Sequence, residues 1–203
     1  MKLYWLFLLV ATATVCSPGP GVVMTLSNAL RYDRFSTLGG ILGIAAGTLL
    51  VAGVSATSLG VLLATSAQAF TVLKLLGAGY LIYLGIRLWR APALDLATAR
   101  SRPGGFSRRF LDAFSMQLTN PKAVFFFLSV LPQFMDPAKS YSLQFGLLVL
   151  TYAVLVIVIH CCYALFARRA QRWLGSERGG RLVNRLAAGM FIVFGGLLAV
   201  AHR

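Results

Sequence analysis

Acidic residues are scarce in this chain. Its 203 residues include five Asp and Glu against 19 Lys and Arg, and no acid falls at the centre of an apolar run. A cationic solute held inside a membrane needs a buried counter-charge, so the shortage favours neutral zwitterions or carboxylates as cargo. Cysteine and histidine are equally sparse, at three and two residues. Cys16, Cys161 and Cys162 lie within or beside apolar stretches, where a thiol behaves as a small hydrophobe, and none stands at metal-ligand spacing to a histidine. That pattern argues against a disulfide framework and predicts no metal site. A nucleophile and base at workable spacing and a Gly-rich phosphate loop are also lacking, so an intramembrane enzyme has little to stand on.

What the chain has in abundance is apolar sequence. With 58% hydrophobic and 12% charged residues and a mean hydropathy of +0.78, the composition is that of an all-α integral membrane protein surrounded by lipid. The length accommodates six spans of about 20 residues with their connections and leaves no room for a separate soluble domain. The net charge of +14 is not a nucleic-acid footprint, because the cations cluster in connections and are not interleaved with stacking aromatics along one surface.

Spans are predicted near residues 3–27, 37–64, 68–89, 111–134, 142–166 and 184–201, separated by turn and charge signals. Pro132, Asp136 and Pro137 close the fourth, and the longest polar connection covers residues 90–110. Arg31 and Arg34 follow the first span, six arginines between Arg87 and Arg109 follow the third, and six between Arg168 and Arg185 follow the fifth. The opposite side carries Lys2, Lys139 and Arg203, and Lys74 and Lys122 sit inside apolar sequence. Cytoplasmic connections hold the excess of Lys and Arg, which predicts both termini in the periplasm. Lys2, the apolar run Leu3 to Leu9 and the small residues before Cys16 also imitate a cleaved signal peptide. Apolar sequence continues through the prolines to Leu30, however, so a retained span is expected. Trp5, Trp89 and Trp173 read as interfacial anchors.

The two halves repeat. Leu76, Ala78, Gly79, Ile82 and Gly85 recur as Leu186, Ala188, Gly189, Ile192 and Gly195, and Pro18 stands to Pro121 as Gly43 does to Gly146. Three spans per half is an odd number, so the expected architecture is two inverted three-helix repeats, about 1–90 and 111–203, forming one transporter domain. Gly39, Gly43 and Gly47 place a small residue every fourth position, a stripe suited to tight packing against a neighbouring helix.

Two proline-broken segments, Ser17-Pro18-Gly19-Pro20-Gly21 and Thr119-Asn120-Pro121-Lys122-Ala123, interrupt spans one and four. Interrupted helices at membrane depth survive only where protein or a hydrated cavity satisfies the freed backbone groups, and corresponding breaks in two halves point to a transporter's binding site. Each restarted helix presents amides and a positive dipole end that favour an anion. The candidate substrate-binding residues are Pro18, Gly19, Pro20, Gln117, Asn120, Pro121 and Lys122, with Lys122 the first candidate for a substrate carboxylate. Asp112, near the inner end of span four, and His160, deep in span five, are candidates for proton coupling. Phe125-Phe126-Phe127, Tyr80 and Tyr83 are read mainly as packing or lipid-facing groups, with pocket lining as the alternative.

Ser17-Pro18-Gly19-Pro20, the stretch Leu76 to Gly85, Leu118-Thr119-Asn120-Pro121-Lys122-Ala123 and Leu131-Pro132-Gln133-Phe134 together resemble the LysE/RhtB family of amino-acid exporters, over nearly the whole chain. The resemblance implies a small carrier of the bacterial inner membrane that exports amino acids or close derivatives. It further implies the proton gradient as energy source, no bound cofactor, and membrane lipid and the substrate as partners. Gln117 departs from the Asn of many relatives, and Val156 stands where many place Asp, removing the acid that a cationic substrate and the usual proton site would use. Assembly as a homo-oligomer is left open, and the competing reading is a non-transporting membrane partner or channel subunit.

Overall fold

The computed structural model describes residues 2–65, 67–91, 104–136, 138–167, 169, 172–173 and 176–200. Most of the predicted 90–110 connection, with Pro137, Arg168 and Arg203, lies outside the described residues, as do the side chains of Lys2 and Lys74. Every described element is helical: α1 (Lys2–Cys16), α2 (Pro20–Arg31), α3 (Arg34–Thr65), α4 (Ala67–Trp89), α5 (Phe106–Leu118), α6 (Pro121–Phe125), α7 (Tyr141–Leu165) and α8 (Glu177–Val200). A π-helical turn (Phe126–Val130) and a 3-10 turn (Leu131–Phe134) continue α6.

Two stretches, Arg34–Ala56 and Tyr141–Leu165, are long and apolar enough to cross a membrane, and Tyr4–Cys16 with Pro20–Arg31 makes a third if the bent pair is one span. That pair bends by 56° at the first predicted break. Leu75–Trp89 and Pro121–Phe134 are shorter apolar helical stretches. Each predicted span thus falls on a helix or a broken series of helices. Both restarts begin with proline at the first helical turn, where its missing N–H costs nothing and its fixed φ suits the helix. Pro20 and Pro121 are therefore helix starters, and the interruption proper lies just before each.

Glycine sets the closest helix contacts. On α3, a methyl group added at Gly39 would lie 2.5 Å from the Phe106 carbonyl oxygen, and one at Gly47 would lie 2.8 Å from Gln117 Cβ. Gly43 sits between them against Phe110 and Ala113, so the expected partner of the small-residue stripe is α5. The pairing of α4 with α8 is reciprocal. A Cβ at Gly85 would meet Ile192 Cγ1 at 2.5 Å and the Ala188 carbonyl at 2.9 Å, and one at Gly195 would meet Ile82 Cγ1 and the Ala78 carbonyl, both at 2.9 Å. The sequence repeat, which equates Gly85 with Gly195, Ile82 with Ile192 and Ala78 with Ala188, turns one set of contacts into the other.

At the start of α3 the Asp33 carboxylate accepts from the Ser36 amide at 2.9 Å and the Ser36 hydroxyl at 2.7 Å, satisfying a first-turn amide. The Ser36 hydroxyl bond, followed by the amide bond, holds the Asp33 carboxyl below the ordinary carboxylate range. On the other side of the bundle Phe7, Phe126, Phe127, Phe134 and Tyr152 are buried together. Phe126 and Phe127 pack on Tyr152 with ring centroids 4.7 and 5.1 Å apart, and Phe7 meets Phe134 edge-on at 5.5 Å. The expected packing role of the Phe run holds for these two residues. Trp5, Trp89 and Trp173 are exposed.

Replacing Gly43 with Val forces a side chain into the Phe110 backbone, and overpacking of this kind costs about 1–3 kcal/mol. Thermal unfolding in detergent should fall accordingly for Gly43→Val and stay near wild type for Gly53→Val, where nothing lies within 4 Å of an added Cβ.

Candidate functional site

Pro18 has no N–H, so the Thr14 carbonyl four residues earlier loses its helical partner, and the Cys16 carbonyl, the last of α1, lacks one because the helix ends there. Side chains from the second half take their place. Lys122 Nζ donates to the Thr14 carbonyl at 2.9 Å, and the Tyr163 hydroxyl donates to the Cys16 carbonyl at 2.8 Å. Lys122 Nζ also donates to the Ser17 carbonyl at 3.1 Å and to Ser17 Oγ at 3.0 Å, and Ser17 Oγ in turn donates to the Thr14 carbonyl at 2.8 Å. The ammonium thus directs its donors at three acceptors on the C-terminal end of α1, the negative end of that helix dipole.

The second break is closed locally. The carbonyl that Pro121 would orphan, Gln117 O, receives the Asn120 amide at 3.1 Å. Asn120 Oδ1 accepts from the Lys122 amide at 3.1 Å, and the Asn120 carbonyl accepts from the amides of Ala123 and Val124 at 3.1 and 3.2 Å. Asn120 Nδ2 then donates to Gln117 Oε1 at 3.0 Å, and Gln117 Nε2 donates to Thr48 Oγ1 at 2.9 Å. The expectation that this restarted helix offers free amides to an anion is therefore not met, because Asn120 engages them. At the first break the cap residue is Gly19, which brings no side-chain cap.

The breaks face one cavity. Ser17, Pro18, Gly19 and Pro20 on one side and Asn120, Pro121 and Lys122 on the other line a space of about 420 Å³ that continues along Tyr80, Leu84, Arg87, Leu88 and Ala91 to Asn184 and Phe191. That volume is in the range of small-molecule sites, and among the described residues no acid lines it. Gly19 is needed for the close approach, since a Cβ there would lie 3.3 Å from Lys122 Nζ. Tyr80 stacks on Phe125 at 4.0 Å between centroids, so the pocket-lining alternative holds for Tyr80.

Asn120 and Lys122 also border a second, smaller space of about 30 Å³, shared with Gln117, Tyr152, Val156 and His160. His160 is buried, and its Nδ1 lies 2.6 Å from Thr25 Oγ1. Asp112 is elsewhere, paired with Arg108 and Arg109 at 3.3 Å each, in an open cavity of about 920 Å³ that reaches Gly19 and Pro20 from the α5 side. Of the nine predicted site residues, six surround the 420 Å³ cavity, while Gln117, His160 and Asp112 do not border it. Sequence reasoning passes over Thr14, Thr48, Tyr163, Arg87 and Asn184. Counting four residues back from each proline finds the orphaned carbonyls, but nothing local reveals which distant side chain reaches them.

A family model described as LysE type translocator matches residues 12–202. The chain is 35% identical over 198 residues to an uncharacterized membrane protein of Vibrio cholerae, covering 97% of each chain. It is 33% identical over 201 residues to a homoserine/homoserine lactone efflux protein of Salmonella typhimurium, covering 98% of this chain and 97% of the relative. A leucine efflux protein of Salmonella choleraesuis is 26% identical over 202 residues, covering 97% and 94%. No solved structure matches.

Removing the Tyr163 hydroxyl leaves the Cys16 carbonyl without its donor. An unsatisfied buried acceptor costs about 1–3 kcal/mol, so Tyr163→Phe should unfold at measurably lower temperature in detergent, whereas Tyr83→Phe, at an exposed position, should not.

Proposed function

The chain belongs to the LysE type translocator family, and on that premise we propose that it is a secondary transporter exporting amino acids or close derivatives of the neutral type across the bacterial inner membrane. Relatives named for homoserine and leucine efflux support amino-acid export. The observation that carries the reading is the 420 Å³ cavity bounded by both breaks, with Lys122 in its wall and no acid among the described residues that line it. Such a lining suits a zwitterion or carboxylate and disfavours a cation.

In this reading six spans form two inverted repeats in one transporter domain, with the arginine-rich connections in the cytoplasm and both termini periplasmic. The reciprocal Gly85 and Gly195 contacts support the inversion, because a two-fold axis exchanges each contact with its partner. The cavity runs toward Arg87, Ala91 and Asn184, at the arginine-rich ends of α4 and α8, and the opposite side is filled by Phe7, Phe126, Phe127, Phe134 and Tyr152. That asymmetry supports a carrier open to the cytoplasm and closed to the periplasm, alternating by rocking one repeat against the other. Lys122 holds the substrate carboxylate, and Asn120 and Gln117 hold the second break in shape. The proton gradient supplies the driving force with no bound cofactor. His160 is the better placed of the two coupling candidates, being buried beside Thr25 and one small cavity away from Lys122, while Asp112 is occupied by two arginines. Lipid surrounds the bundle, and assembly as a homo-oligomer is compatible with this reading.

Inverted vesicles containing purified protein should take up at least one radiolabelled neutral amino acid saturably under an imposed proton gradient, and Lys122→Ala should abolish that uptake. Absence of saturable flux for every amino acid and derivative in the panel would overturn the reading in favour of a non-transporting partner. His160→Gln should retain downhill exchange and lose the acceleration that the gradient gives. Unchanged gradient dependence in that variant would remove His160 from coupling.

A further inference from the structure

An exporter of zwitterions must hold an ammonium as well as a carboxylate, and the described residues that line the cavity between the breaks include no acid for it. The C-terminal end of α1 offers oxygen acceptors instead. Thr14 O, Ser17 O and Ser17 Oγ converge on one point at 2.9, 3.1 and 3.0 Å, a set that matches the three N–H donors of a primary ammonium. Two features of the sequence create it. Pro18 frees the Thr14 carbonyl, and the end of α1 leaves its last carbonyls without helical partners while the helix dipole makes them attractive to a cation. The cation now in place belongs to the protein itself, the ammonium of Lys122.

We propose that this oxygen set is the binding site for the substrate's α-ammonium, and that Lys122 occupies it only while substrate is absent. The identity of the ligand rests on the amino-acid export reading given above. Substrate arriving in the 420 Å³ cavity meets both Ser17 and Lys122, which line it and are bonded to each other. Its carboxylate draws the Lys122 ammonium off the α1 oxygens, and its own ammonium, chemically the same R–NH3+ group, takes the vacated acceptors. One cation replaces another, so no oxygen is left unpaired and the incoming carboxylate balances the displaced lysine. The exchange also undoes the three bonds that tie α1 to the second break. Substrate binding and release of that tie become one event, which is what a carrier needs if the loaded and empty states are to differ in their freedom to move. A carboxylate without an ammonium draws Lys122 away but leaves the α1 oxygens bare, and is held more weakly.

The site is tested by emptying it. Purified Lys122→Ala in detergent should be stabilised against thermal unfolding by ethylammonium in a saturable manner, and not by tetramethylammonium, which has no N–H. Wild-type protein, whose site is filled, should respond to neither. Adding Ser17→Ala to Lys122→Ala should weaken the ethylammonium effect by about tenfold, the usual size for one hydrogen bond to a charged group. Equal responses to the two ammonium ions, or an equal response in wild type, would overturn the proposal. If Lys122→Ala does not fold, Ser17→Ala alone decides. It should leave inhibition of flux by an amino acid nearly unchanged, because Lys122 and the substrate ammonium lose the same bond, and strengthen inhibition by the matching α-hydroxy acid about tenfold, because displacing Lys122 then breaks one bond fewer; an equal change for both would overturn the proposal. The transport reading stands or falls separately on wild-type flux. Ammonium-selective stabilisation without flux would leave the site on a protein that does not export, and flux without selective stabilisation would remove the site alone.

Discussion

A helix broken inside a membrane needs partners for the carbonyls it exposes, and the first half of this protein supplies only part of them, the Ser17 hydroxyl on the Thr14 carbonyl. Pro18 strips the Thr14 carbonyl of its amide and the end of α1 leaves the Cys16 carbonyl bare, and donors arrive from Lys122 and Tyr163, both in the second half. Hydrocarbon offers no water in compensation, so each missing partner would cost far more than it does in a soluble protein. The first break is therefore stable only while the second half is docked beside it. The reverse dependence is weaker, since Asn120 caps the second break within its own segment. Lys122 itself needs the α1 oxygens, because an ammonium at this depth is tolerated only with close acceptors.

This dependence explains how a chain so poor in acid carries a lysine in its core. The counter-charge is distributed over carbonyl dipoles at a helix C-terminus, which hold a cation without committing a fixed negative charge to the cavity. A fixed carboxylate would bind Lys122 permanently and repel an anionic group. Carbonyls bind it reversibly. The same economy appears in the helix packing, where glycine brings α3 against α5 and α4 against α8 with little side-chain mass between them. The bulky Phe and Tyr groups are packed together in the buried core instead.

The helices, the bend at residues 17–19 and the break before Pro121 are legible in the sequence because they follow from local rules: apolar run length and the chemistry of proline. The glycine stripe on α3 is legible as a packing surface for the same reason. Within the candidate site, Pro18, Gly19, Pro20, Asn120, Pro121 and Lys122 are found because breaks at membrane depth demand explanation. Gln117 and His160 are found as polar residues in apolar sequence, but their relation to Thr48 and Thr25 depends on which helices meet. Tyr163 and Thr14 escape notice because a tyrosine near a helix end and a threonine in a span are ordinary until the fold sets one beside an orphaned carbonyl and the other beneath an ammonium. The closed amide set of the second break is likewise invisible in sequence, since it needs the backbone geometry of Asn120.

The claim on which the rest turns is that the cavity between the breaks opens to one side and is sealed by packed side chains on the other. The most direct test is thiol labelling of single-cysteine variants in a background free of Cys16, Cys161 and Cys162, using a membrane-impermeant reagent applied from either face. Leu88→Cys, on the cavity wall, should label from the cytoplasmic face and be protected by a transported amino acid. Val130→Cys, buried in the aromatic half, should stay silent from both faces at rest and gain reactivity from the periplasmic face during turnover. Labelling of Val130→Cys from the periplasm in resting protein, with Leu88→Cys silent from the cytoplasm, would contradict the account.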